Sequence, residues 1–242
     1  MPRLLVINPN TSQTTTDRLA QHIPHVLAAD TRLTCITARF GASYIACEAS
    51  YAVAGHAVLD AWATHLQNSG NDQQPDRILI GCFGDPGLHA LRESAACPVT
   101  GLAEASFIEA SAIGPFAIVT GGERWGPMLQ RIAQSLGFGA SLKHIETVRE
   151  TGADLLANPE HAINVLTQAC QRAAAHNVRS VILGGAGLAG YAALVQPAIN
   201  VLVIDSVLAG GRVVMGASLP TPQRDASGFD ATWVGVSGRW LA

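Results

Sequence analysis

Of the five cysteines in the chain, one stands where a thiol can do chemistry. Cys82 lies at the apex of segment 77–88, RILIGCFGDPGL, whose branched apolar run reads as a buried strand over Ile78–Ile80. The glycines that follow make a tight turn, and the sequence predicts a helix opening near Asp85 and Pro86. A thiol just ahead of a helix N-terminus has its anion favoured by the helix dipole, which makes a better base or nucleophile. The plainer reading is a small apolar residue fitted into a tight turn. Cys35, Cys47, Cys97 and Cys170 read as packing residues, because the count is odd and no pair has CxxC or zinc-cage spacing.

The pattern around Cys82 occurs twice. Segment 180–190, SVILGGAGLAG, has the same apolar run and the same turn, with Gly185 at the position of Cys82. The elements around each copy also correspond, which indicates an internal duplication and two similar lobes related by a pseudo-twofold axis. In the first half, strands are expected at Leu4–Ile7, Thr31–Thr37, Ile78–Ile80 and Val99–Leu102. Helices are expected at Thr14–Ala28, Glu48–Gln67, Leu88–Ala95 and Glu104–Ile113, with a polar linker over Asn68–Pro75. In the second half, strands are expected at Phe116–Val119, Ser141–Ile145, Val181–Leu183 and Val201–Ile204, with helices at Trp125–Leu136, His161–His176 and Ala189–Val195. This alternation predicts an α/β protein of two doubly wound parallel sheets. The lobes are drawn as residues 1–105 plus 215–242, and 106–214. The segment Ser218–Gly228 reads as irregular, and burial of Trp233 and Trp240 would bring the tail back onto the first lobe.

Ligands of such sheets bind beyond the carboxyl ends of the strands. Four loops sit there, at Asn8–Ser12, Gly81–Asp85, Thr120–Arg124 and Gly184–Gly187, each placed to offer free amides to a small anion or an enolate-like intermediate. Glu104 and Asp205 are read as ending corresponding strands, able to serve as acid/base support or as helix caps. Tyr44 and Glu48 belong to a segment positioned to cover the cleft. His56 and His89 are the histidines expected nearest to it, and no histidine pair has metal spacing. Gly185, Gly187 and Gly190 spell GxGxxG, but far from the N-terminal βαβ unit and without an acidic ribose partner, so no dinucleotide cofactor is expected.

Bulk properties narrow the class. A chain of 242 residues with 14% charged residues and a net charge of -3 has a sizeable core and no basic nucleic-acid footprint. It contains no apolar run of membrane-spanning length, and its start, MPRLLVINPN, lacks signal-peptide features, so a cytoplasmic location is expected. The expected partners are a small, anionic substrate and further copies of the chain, with no nucleic acid, membrane, metal or cofactor.

Taken together, VINPNTS (6–12), GCFGDPGL (81–88), GLAEA (101–105), VTGG (119–122) and IDS (204–206) resemble the aspartate/glutamate/hydantoin racemase superfamily, nearest to its hydantoin-racemase branch. The resemblance covers essentially the whole chain. It implies two flavodoxin-like lobes with the active site between them, and one cysteine per lobe on opposite faces of the substrate carbon. Cys82 matches the first, whereas the second falls on Gly185, which carries no proton. The family's polar contacts fall on Asn10, Thr11, Phe83, Gly84, Thr120, Gly121 and Ala186, beside Gly122, Gly185 and Tyr44 as further binding positions. Related arylmalonate decarboxylases use a single cysteine in the other lobe. The departure at Gly185 shifts the expectation from racemisation to a single-thiol enzyme acting on a hydantoin-like, thiohydantoin or amino-acid-derived substrate. Cys82 would be nucleophile or base, for instance in hydrolysis or desulfurisation of the ring. A racemase with a substitute second base, or a non-catalytic binding relative, is the alternative.

Overall fold

The computed structural model describes residues 1–69, 74–216 and 219. Apart from Leu219, the expected irregular segment from Ser218 lies outside the described residues, as do Trp233, Trp240 and the middle of the linker.

Each half of the chain builds one four-stranded, all-parallel sheet. Strands β1 (Arg3–Asn8), β2 (Arg32–Thr37), β3 (Arg77–Ile80) and β4 (Val99–Gly101) form the first, in the order β2-β1-β3-β4. Strands β5 (Phe116–Gly121), β6 (Leu142–Val148), β7 (Ser180–Gly184) and β8 (Leu202–Asp205) repeat it as β6-β5-β7-β8. The central strands are apolar on both faces because helices cover both, and Val6, Ile7, Ile78–Ile80 and Ile182 are fully buried.

The helices are α1 (Gln13–His22), α2 (Glu48–Asn68), α3 (Leu88–Ser94), α4 (Leu102–Ile113), α5 (Trp125–Ser135), α6 (Gly152–Ala157), α7 (Pro159–Ala174), α8 (Tyr191–Val195) and α9 (Ser206–Met215). Helices α4 and α9 lie between the lobes. Helix α4 packs on β7 and β8 as well as on its own β4, and α9 packs on β3 and β4 as well as on its own β7 and β8; the two also pack on each other. The boundary drawn at residue 105 falls inside α4. One apolar cluster therefore runs through both halves, joining Leu79 and Leu102 to Phe107, Phe116, Ile182 and Val207.

Two helices escape the sequence reading. Helix α9 carries Gly210 and Gly211 in its middle, which argues against a helix by propensity. Those glycines permit close packing: a Cβ on Gly210 would come within 2.6 Å of Leu102, and one on Gly211 within 2.6 Å of Val26. Helix α6 has only six residues, yet Thr151 and Asp154 announce it as a capping box, each side chain bonding the other's backbone N–H. The helix expected at Thr14–Ala28 ends at His22 and continues as a 3-10 turn over Ile23–Val26, where Pro24 cannot donate to an α-helical bond.

Candidate active site

The carboxyl ends of the two sheets face each other across a cavity of about 550 Å³, within the range of small-ligand sites. All four glycine-rich or Asn-rich loops contribute to it. Cys82 and Phe83 form part of the first-lobe wall, and Thr120, Gly121, Gly185 and Ala186 part of the second. Asn10 enters from the loop after β1. Its Oδ1 is held by the Asn8 side chain (3.0 Å) and the Ser12 N–H (2.9 Å), leaving its amide nitrogen without a partner among the described residues.

Cys82 lies in the cavity wall, 9% exposed. The helix expected to open beside it begins only at Leu88, after Gly87 in the left-handed region at φ 78°. The turn is instead closed by the N–H groups of Gly84 and Asp85, which donate to the Cys82 carbonyl at 3.0 and 3.2 Å. The expectation of a dipole-favoured thiolate is therefore corrected. Burial, reinforced by the Asp85 charge, pushes the thiol well above its ordinary range. Once formed, such a thiolate is a strong, poorly solvated base.

Asp85 explains why this turn is rigid. At φ 52° it is one of two non-glycine residues with positive φ among the described residues, and it is 3% exposed. Its carboxyl accepts the Ala103 and Glu104 N–H groups at 2.9 and 2.7 Å, capping α4 from across the lobe. A Cβ on Gly101 would overlap this carboxyl. In the second lobe Asp205 occupies the N-cap itself and accepts from Val207 (2.9 Å) and Leu208 (3.2 Å). By position, then, Asp205 corresponds to Gly101 rather than to Glu104. Burial raises the Asp85 pKa to about 7 despite the two amide bonds.

Several expected site residues lie elsewhere. Glu104 pairs with Arg92 and accepts from the Thr100 hydroxyl at 2.7 Å; Glu48 pairs with Arg131 near the surface. These two and Asp205 stay out of the cavity wall, as do His56 and His89. Thr11, Gly84 and Gly122 shape the loops without lining the cavity. The Thr11 N–H donates to Ala42 at 3.1 Å, a Cβ on Gly84 would press within 2.6 Å of the Trp125 ring, and the Gly122 N–H donates to Val148 at 2.8 Å.

The segment 43–45 lines the cavity. The Tyr44 hydroxyl donates to the Gly121 carbonyl at 3.1 Å, and the Trp125 ring N–H donates to the Ile45 carbonyl at 3.1 Å. Burial raises the Tyr44 pKa, partly opposed by the nearby N–H groups of Trp125 and Gly152. Trp125, Ser43 and the α6 residues Gly152 and Ala157 are cavity residues that the sequence reading missed. Trp125 directly after the GGER turn was an available signal. Gly185 sits at φ 143°, ψ 132°, a conformation open essentially to glycine, and its N–H donates to the Ser206 hydroxyl at 3.1 Å. The N–H groups of Phe83 and Ala186, on facing walls, have no partner among the described residues.

Residues 4–213 match the Asp/Glu/hydantoin racemase family model. A hydantoin racemase of Pseudomonas sp. (strain NS671) is 31% identical over 210 residues, covering 86% of this chain and 82% of that protein. One from Paenarthrobacter aurescens is 32% identical over 214 residues, covering 87% and 89%. The structure of an allantoin racemase from Klebsiella pneumoniae superimposes with a TM-score of 0.81 at 29% identity, covering 88% of this chain and 86% of that one. Two lobes, a cleft between them and these likenesses along the chain agree: it belongs to the Asp/Glu/hydantoin racemase family.

Proposed function

We propose that this chain racemises a small five-membered cyclic ureide of the hydantoin or allantoin type, with Cys82 as the base on one face. The relatives that resemble it over most of their length carry those names. The observation that carries the proposal is the composition of the cavity wall. A buried thiol stands on one side, and unpartnered Phe83 and Ala186 amides sit on opposite walls.

The carbon between the ring nitrogen and carbonyl of a hydantoin is a weak carbon acid. Removing its proton places negative charge on the carbonyl oxygen, where fixed N–H donors stabilise it without reorganising. A thiolate whose basicity burial has raised suits that step. Ring hydrolysis or desulfurisation, favoured in the sequence reading because Gly185 lacks a thiol, finds less support. It requires a group to activate water for release of the acyl-enzyme, and the Glu104, Glu48 and Asp205 carboxylates are engaged elsewhere.

The test is incubation of single enantiomers of allantoin and 5-substituted hydantoins in deuterium oxide, following optical rotation and mass together. Loss of rotation with uptake of one deuterium, abolished by Cys82→Ser in a folded protein, is expected. A product of altered mass without exchange at the stereocentre would sink the proposal.

A further inference from the structure

Racemisation needs a proton carrier on each face, and the second-lobe turn offers a glycine. We infer that Tyr44 is that second carrier: its phenol, held against the second-lobe wall, protonates and deprotonates the substrate carbon on the face opposite Cys82. The inference rests on the racemase reading.

Among the described residues lining the cavity, Cys82 and Tyr44 are the two with an ionisable side chain; the rest are glycines, amides, aliphatic alcohols and apolar groups. Position singles out the phenol as well. Strand β5 pairs with β7 up to Thr120 beside Gly184, so Gly121 and Gly185 are the next residues along the two chains. The Tyr44 hydroxyl bonds the Gly121 carbonyl at 3.1 Å, one strand over from where a second thiol would stand, and packs over Gly122, whose Cβ would come within 3.2 Å of it.

Tyr44 reaches this wall from the first lobe. Its segment is pinned by the Trp125–Ile45 bond on one side and by the Thr11–Ala42 bond on the other. The charged and titratable groups that act on the phenol are Cys82, across the cavity, and Asp154 at the start of α6; the Trp125 and Gly152 N–H groups favour its anion. Burial outweighs these donors, so the phenol keeps its proton at neutral pH and is poised as an acid toward the carbanion.

The proton count closes. The Cys82 thiolate forms an S–H bond as the substrate C–H bond breaks, and the electron pair moves into the ring enolate. The Tyr44 O–H bond then breaks as a C–H bond forms on the opposite face, leaving thiol and phenolate. The other enantiomer runs the same steps in reverse, and exchange with water resets either form.

Tyr44→Phe, assayed on each enantiomer in deuterium oxide, is expected to lose inversion by about 100-fold or more. It should still wash deuterium into one enantiomer with retention, through Cys82. Near-parental racemisation by Tyr44→Phe overturns the inference and leaves the racemase reading intact, whereas a parent protein that neither exchanges nor racemises overturns both. Equal loss of exchange and inversion marks a structural role and also overturns it. Independently of folding, 3,5-difluorotyrosine placed at position 44 should make the rising limb of the racemisation profile level off at lower pH, because the more deeply buried Cys82 thiol titrates above the phenol; an unmoved limb overturns the inference.

Discussion

Replacing Asp85 tests how the thiol turn is held. In Asp85→Ala the N–H groups of Ala103 and Glu104 lose the acceptors they now reach at 2.9 and 2.7 Å. Each amide left unsatisfied in a buried helix start costs about 1–3 kcal/mol. Alanine must also hold φ 52°, which costs it about 1 kcal/mol more than glycine. The expected loss is about 3–7 kcal/mol, a fall of roughly 6–28 °C in Tm for a chain of this size. Asp85→Gly should lose about 1 kcal/mol less, and Asp85→Asn least, since asparagine tolerates the left-handed region and keeps one acceptor. A pH series adds a second check. With a folded pKa of about 7 against 3.8 unfolded, the native state favours the neutral carboxyl. Its stabilisation is complete below pH 3.8 and is lost as pH rises through 7. The parent's advantage over Asp85→Asn should therefore shrink between pH 4 and pH 8. Thermal unfolding by circular dichroism measures both effects. Equal stability of the alanine and glycine variants, or an advantage that grows with pH, would refute the reasoning.

Three further outcomes follow from the same geometry. Arg92→Met strands the Glu104 carboxylate beside Thr100 and should cost about 2–4 kcal/mol in chemical denaturation, with part recovered in Arg92→Met/Glu104→Gln; no recovery would separate the loss from the ion pair. Gly185→Ala has room, its nearest neighbour Leu188 lying 3.4 Å away, yet must adopt φ 143°, so a loss of about 1–3 kcal/mol is expected from backbone strain alone. A variant as stable as the parent would show that the turn relaxes. Because burial raises the Cys82 thiol above its usual range, kcat/KM should climb about tenfold per pH unit between pH 6 and pH 8 as the thiolate fraction grows, and a plateau in that interval would contradict it.

The two-lobe architecture was legible because its signal is periodic and repeated: apolar strand, glycine turn and helix recur in each half, and strand apolarity survives any tertiary context. Helix starts near Cys82 were less legible. The Asp85–Pro86 pair reads as a helix N-terminus locally, but the Asp85 carboxyl is spent on α4, a contact between residues far apart in the chain. The same long-range pairing hid the fate of Glu104, whose Arg92 partner lies on α3. Among candidate site residues, those carried by strand-end turns, such as Cys82, Thr120 and Ala186, reach the cavity. Trp125 was missed as a cavity residue because its indole spans the lobes to Ile45, a relation that local sequence does not encode.

The placement of α4 and α9 between the lobes has a consequence for how the chain folds. Each half of the chain supplies a helix that packs on the other half's sheet. A free-standing half would leave its apolar sheet open to solvent, so the two halves are expected to unfold as one cooperative unit. Two turns on one chain also need not match: a symmetric pair of identical chains would carry the same residue on both walls, whereas here Cys82 and Gly185 line one cavity.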